Sequence, residues 1–127
     1  MLPTSWDPGK VCIVHLKRHT GDLADLTQEE TLESLALLRT HETAVRSTLG
    51  ATMFNWSCHM NHAYRQRPPN PHIHWWAVPR YDRPVAIGGR IFENTQFGES
   101  DDHARWHKLP SALHQQITHR IHQAISP

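Results

Sequence analysis

The sequence predicts an α+β domain: an antiparallel sheet with one long helix packed on it and a second helix near the C-terminus. Three observations carry this expectation: three short apolar runs rich in β-branched or aromatic residues, one capped run at helical spacing, and a proline-led run whose apolar residues recur every four positions. The 127 residues amount to one domain, spanning 1–127.

Taken in order, residues 1–10 contain Pro3, Pro8 and Gly9 and read as an irregular arm. Val11 to Leu16 (VCIVHL) is β-branched and reads as a strand. Thr27 with Glu30 three positions on forms a capping box, Leu35, Leu38, Val45 and Leu49 follow at helical spacing, and Gly50 supplies the stop. Ala51 to Cys58 and His72 to Val78 read as two further strands, separated by the proline-rich reversal RQRPPNP. Residues 82–108 turn polar and are expected to meander with at most one short strand. Pro110 opens the last helix, 110–125, whose stripe of Leu113, Ile117, Ile121 and Ile125 is narrow enough to suit either the core or a second subunit.

Composition removes several classes of function. Thirteen Lys and Arg against twelve Asp and Glu leave a net charge of +1, too small for the positive field on which polymeric nucleic-acid binding relies. No apolar run approaches the ~20 residues that a bilayer span needs, and the first residues lack the apolar core of a secretory signal, so a cytoplasmic protein with no membrane partner is expected. Cys12 and Cys58 form no CxxC pair and read as buried thiols in strands. Twelve histidines stand out, and they point to imidazole chemistry or to metal binding.

The stretch from Asn70 to Arg80 is the most informative. Strand alternation sends His72, His74, Trp76 and Val78 to one face, and Ile73, Trp75 and Ala77 to the other, which should face the helix. Alternate residues on a strand lie roughly 7 Å apart, a spacing that lets each imidazole meet a different part of a bound phosphate ester. On the residues alone a metal site is equally open, with a third ligand from His19, His59 or His62, although no paired carboxylate or CxxC cluster completes one. Pairs such as His103 with His107, and His119 with His122, read as solvated helix positions, and Lys17-Arg18-His19 as a solvated turn.

PHIHWWAVPRY resembles the signature of the histidine-triad family of nucleotidyl hydrolases and transferases, in which histidines alternate with hydrophobic residues ahead of Pro-Arg. LKRH, Leu16 to His19, followed by DLADLTQEE is similar to that family's strand, basic turn and capped helix, and FNWSCHMN to its strand and loop asparagine. The resemblance covers residues 11–81. It implies that His74 is the nucleophile on an α-phosphorus, that His72 sets the ring tautomer and positions phosphate oxygens, and that Asn61, Arg80 or Lys17 add donors to the transition state. Asn61 matches a family position best. Trp76 stands where the third histidine of the triad belongs; its indole N–H can donate a hydrogen bond and its ring can stack on a purine, but it cannot shuttle a proton. Pro68 and Pro69 replace polar phosphate-contacting residues of the family, so base specificity does not carry over. The implied substrate is a dinucleoside polyphosphate or nucleoside phosphoramidate, turned over without a cofactor or metal by a protein that pairs into a homodimer. A weakly catalytic nucleotide binder and a histidine-rich metal-binding module are the alternatives.

Overall fold

The computed structural model describes residues 12–100 and 109–126. The expected arm over 1–10, and the pair His103 and His107, lie outside the described residues. The described chain is α+β, as the alternating and helical periodicities require. Strand β1 spans Cys12–His15, helix α1 Gln28–Leu49, β2 Met53–Ser57, β3 His74–Arg80, β4 Val85–Ile87, β5 Arg90–Phe92 and helix α2 Ser111–Ile125. Short 3-10 turns at Leu23–Asp25 and Ala63–Arg65 punctuate the loops on either side of the site.

Both ends of α1 are local inventions of the sequence. The Thr27 hydroxyl accepts from the Glu30 backbone N–H while the Glu30 carboxylate accepts from the Thr27 N–H, satisfying two orphan donors at the helix N-terminus. Arg18 then clamps the Glu30 carboxylate with Nε and Nη2, both at 2.8 Å, and this charged hydrogen bond draws the Glu30 carboxyl down to about 2. At the other end Gly50 adopts φ +75°, the left-handed conformation that lets its N–H reach back to the Arg46 carbonyl.

The three-stranded antiparallel sheet runs β1-β3-β2, with His15 opposite His74, Trp56 opposite Ala77 and Asn55 opposite Val78. Opposed residues share a face, so Phe54, Trp56 and Ala77 face α1, whereas His15, His74, Trp76 and Ser57 face the other way. Trp56 donates its indole N–H to Glu42 of α1 at 2.8 Å, and both Phe54 and Trp56 meet the edge of the His41 ring. Cys58 is a half-buried thiol just past the end of β2 rather than within it.

Three expectations are corrected. The polar stretch contains two short strands, not one at most: β4 and β5 pair across Gly88 and Gly89, whose φ angles of +57° and +74° form the two-residue turn that matches strand twist. The strand carrying the histidines begins at His74 and runs on to Arg80, with His72 just ahead of it. Only the C-terminal half of α1 is covered: Val45 is 0% exposed but Leu35 is 58% exposed. A 22-residue helix is about 33 Å long, and the short strands under it cannot reach its first turns. The core lies where α1, α2 and the β4–β5 hairpin converge, around Val45, Leu49, Phe92, Leu113 and Ile117, with Tyr81 at the exit of β3.

Candidate active site

The site forms where the start of β3 meets the loop after β2. Ile73 anchors this point on both sides, its N–H donating to the Thr20 carbonyl at 2.9 Å and its carbonyl accepting from the Leu16 N–H at 3.2 Å. Gly21 permits the approach, since a Cβ there would collide with the Pro71 ring. The turn after β1 is thereby pressed against residues 70–73.

Beside it opens a cavity of about 380 Å³ lined by His59, Met60, Asn61, His62, Ala63, His72, His74 and Trp76. This lies within the size range of small-molecule sites. The structure therefore brings together four of the six residues that the resemblance singled out: His74, His72, Asn61 and Trp76, but not Arg80 or Lys17. Asn61 is exposed, on the loop entering the 3-10 turn, where its carbonyl accepts from the Tyr64 N–H. Trp76 is half-buried in the wall, whereas Trp56 sits on the opposite face of the sheet, bound to Glu42.

The hydrogen bonds specify the imidazoles. His74 Nδ1 lies 2.9 Å from the His72 carbonyl oxygen, which can only accept, so Nδ1 carries the hydrogen and Nε2 of the neutral ring keeps its lone pair. His72 Nε2 donates in the same way to the Leu16 carbonyl at 2.7 Å. Tautomer control of His74 thus comes from the His72 backbone, not from its ring. His15, opposite His74 on β1, stacks its ring 5.7 Å from that of His74 and 6.2 Å from that of His72. His19 reaches His72 Nδ1 through its own Nδ1 at 3.0 Å and Asn70 Oδ1 through Nε2 at 2.9 Å.

Arg80 does not join this group. It stands six residues beyond His74 on β3, about 20 Å away along an extended strand, and is 1% exposed. Its guanidinium donates to Asn55 Oδ1, Asn94 Oδ1 and the carbonyls of Gln96 and Glu99. Lys17 is exposed on the turn, and the neighbouring Arg18 is taken up by Glu30 and the Asp25 carbonyl.

One residue beside the nucleophile candidate was not singled out in the sequence, and another was named only as a possible metal ligand. His15 sits in a run that reads as a plain apolar strand, and His19 in a basic turn that otherwise reads as solvent-facing; the antiparallel register and the Gly21–Pro71 approach place them here. His59 and His62 line the cavity, yet among the described residues no group of three His, Cys, Asp or Glu is placed to hold a metal ion. Among the described residues, no helix is long and apolar enough to cross a membrane. Compared with protein-family models and with curated proteins, the chain matches none.

Proposed function

We propose that this protein is a nucleotidyl hydrolase or transferase of histidine-triad type, acting at the α-phosphate of a dinucleoside polyphosphate or nucleoside phosphoramidate. One observation carries the reading: His74 borders the cavity with Nδ1 docked on the His72 carbonyl, so in the neutral ring the lone pair lies on Nε2. That lone pair attacks the α-phosphorus, the bond to the leaving group breaks, and a nucleotidyl-imidazole forms. Water then attacks the same phosphorus, the P–N bond breaks, and the nucleoside monophosphate departs with His74 restored. Imidazole suits both steps, being neutral enough at pH 7 to attack and a good cationic leaving group once phosphorylated. Asn61 supplies an amide donor from the loop and Trp76 a surface for the base.

The experiment is chromatographic detection of AMP released from diadenosine polyphosphates and adenosine phosphoramidate, with chelator present, for the wild-type protein and His74→Ala. Release by the wild type that vanishes in the variant supports the reading; release unchanged in the variant, or absent from both, overturns it. Trp76 favours one second reading, a slow enzyme that binds well, because an indole cannot protonate the leaving group. In that case Trp76→His raises kcat by about tenfold or more, as general acid catalysis typically contributes at least 100-fold.

A homodimer belongs to the same proposal. Leu32 and Leu35, three apart on one face of α1, are both 58% exposed, and a second copy would cover them. Sedimentation velocity should show a dimer that dissociates in the Leu32→Glu/Leu35→Glu variant; a wild-type monomer removes this part of the proposal.

A further inference from the structure

The contact between His19 and His72 has an unusual proton requirement. The two rings lie within 8° of parallel with centroids 4.9 Å apart, while Nδ1 faces Nδ1 at 3.0 Å. That separation of nitrogens spans most of the distance between centroids, which is the geometry of an in-plane N–H···N bond rather than of face stacking. His72 Nε2 faces the Leu16 carbonyl oxygen and His19 Nε2 faces the Asn70 amide oxygen. Both partners only accept, so both Nε2 atoms carry hydrogens. Two neutral rings would then present two bare lone pairs to each other at 3.0 Å, and the contact becomes a hydrogen bond only when a third proton lies between them.

We infer that His19 and His72 share one proton as an imidazole–imidazolium pair, and that His19 is a positioning residue for the site. This rests on the proposed nucleotidyl chemistry for its consequence, but not for its existence. The pair has two effects. It pins the His72 ring at both nitrogens, between the Leu16 carbonyl at the exit of β1 and His19 in the turn that follows, and so fixes the peptide whose carbonyl holds His74 Nδ1. It also places one delocalised positive charge on the cavity wall, where an anionic phosphate is bound.

Among the described residues no carboxylate forms an ion pair with either ring: Glu30 pairs with Arg18, while the Asp22 carboxylate caps Ala24 and that of Asp25 accepts from Thr20. Other titratable groups near the pair are His15, whose ring stacks on His72, His74, which docks on the His72 carbonyl, and His59 and His62, which line the same cavity.

The test uses full-length protein with 15N-labelled histidine and long-range 1H–15N spectra between about pH 6 and about pH 8, the range in which imidazole titrates. Expected are protonated Nε2 signals for both His19 and His72, one far-downfield proton shared by the two Nδ1 atoms, and a His74 ring held as the Nδ1–H tautomer. His19→Phe, at an exposed position, removes the downfield proton, leaves His72 neutral and mixes the tautomers of His74. Turnover falls about tenfold, comparable to losing a supporting contact of a reactive group. His19→Gln offers an amide N–H to His72 Nδ1 without charge, so it restores kcat but leaves KM for the anionic substrate raised severalfold. An unprotonated His19 Nε2, as when the Asn70 amide is turned to donate, overturns the shared proton. An unchanged His74 tautomer in His19→Phe overturns the positioning role. If no variant turns over any nucleotide conjugate, the proposed function fails while the proton count still decides this inference.

Discussion

At the scale of single residues, the sharpest consequence concerns His41, which the site does not use. It is 8% exposed on the inner face of α1, edge-on to Phe54 and Trp56, and among the described residues its Nε2 has no hydrogen-bond partner. Burial holds its pKa below the ordinary value of 6.5, with only the Glu42 charge opposing. The unfolded chain therefore takes up a proton near pH 6.5 that the folded chain refuses, so stability is full above that pH and is lost as pH falls towards the depressed folded value. The urea midpoint should drop between about pH 7.5 and about pH 5.5, and His41→Phe should flatten this part of the profile; an equal slope in the variant would place the acid sensitivity elsewhere. His41 also marks where sequence reading stops at this scale. His72, His74 and Trp76 were legible together because alternation along one extended segment is a local rule, whereas Asn61 was named only through the resemblance of FNWSCHMN to a family motif. His15 was not legible, and His19 was open only as a third metal ligand, because they arrive through a strand pairing and a turn packing that connect positions more than 50 residues apart.

At the scale of elements, the ends of α1 were readable because capping chemistry involves neighbours a few residues apart, as Thr27 with Glu30 and Gly50 with Arg46 demonstrate. The β4–β5 hairpin has an equally local signal in Gly88-Gly89, but each flanking strand is only three residues long, too short to display alternation. Its stability comes from what it packs on: Val85, Ile87 and Phe92 are all buried against α1 and α2. Gly88 joins the two arguments, since it combines φ +57° with a position where an added Cβ would lie 2.9 Å from Leu113 Cδ1. Gly88→Val should cost about 2 kcal/mol or more, from a branched residue forced into the left-handed region plus the displacement of Leu113. Gly89→Val has the same backbone problem with open space around it, so the difference between the two denaturation midpoints isolates the packing part. Equal losses would mean that α2 yields without cost.

At the scale of the whole molecule, the sheet that presents the histidines is not where most of the core lies. The helices and the hairpin converge beyond the far end of β3, and the sequence could not show this, because the expected contact between α1 and Ile73, Trp75 and Ala77 follows from strand alternation alone. Arg80 connects the two regions. Its side chain leaves β3, takes the Asn55 amide oxygen on β2, and binds Asn94 and the carbonyls of Gln96 and Glu99 on the polar segment after the hairpin. The Asn94 oxygen also accepts from the Tyr81 N–H, so the segment is tied to backbone as well as to side chain. Lysine cannot replace this fork, as a single ammonium reaches at most some of acceptors spread around a planar guanidinium. Arg80→Met removes these charge-assisted bonds from a buried side chain, an effect of about 3 kcal/mol if two such bonds are lost outright, or roughly 10 °C in Tm for a domain of this size. His74 lies at the opposite end of the same strand, so below the lowered Tm the variant should retain the KM of the wild type. A raised KM in protein that still gives the wild-type near-UV circular dichroism would instead mean that the polar segment held by Arg80 reaches over the cavity and closes on the bound nucleotide.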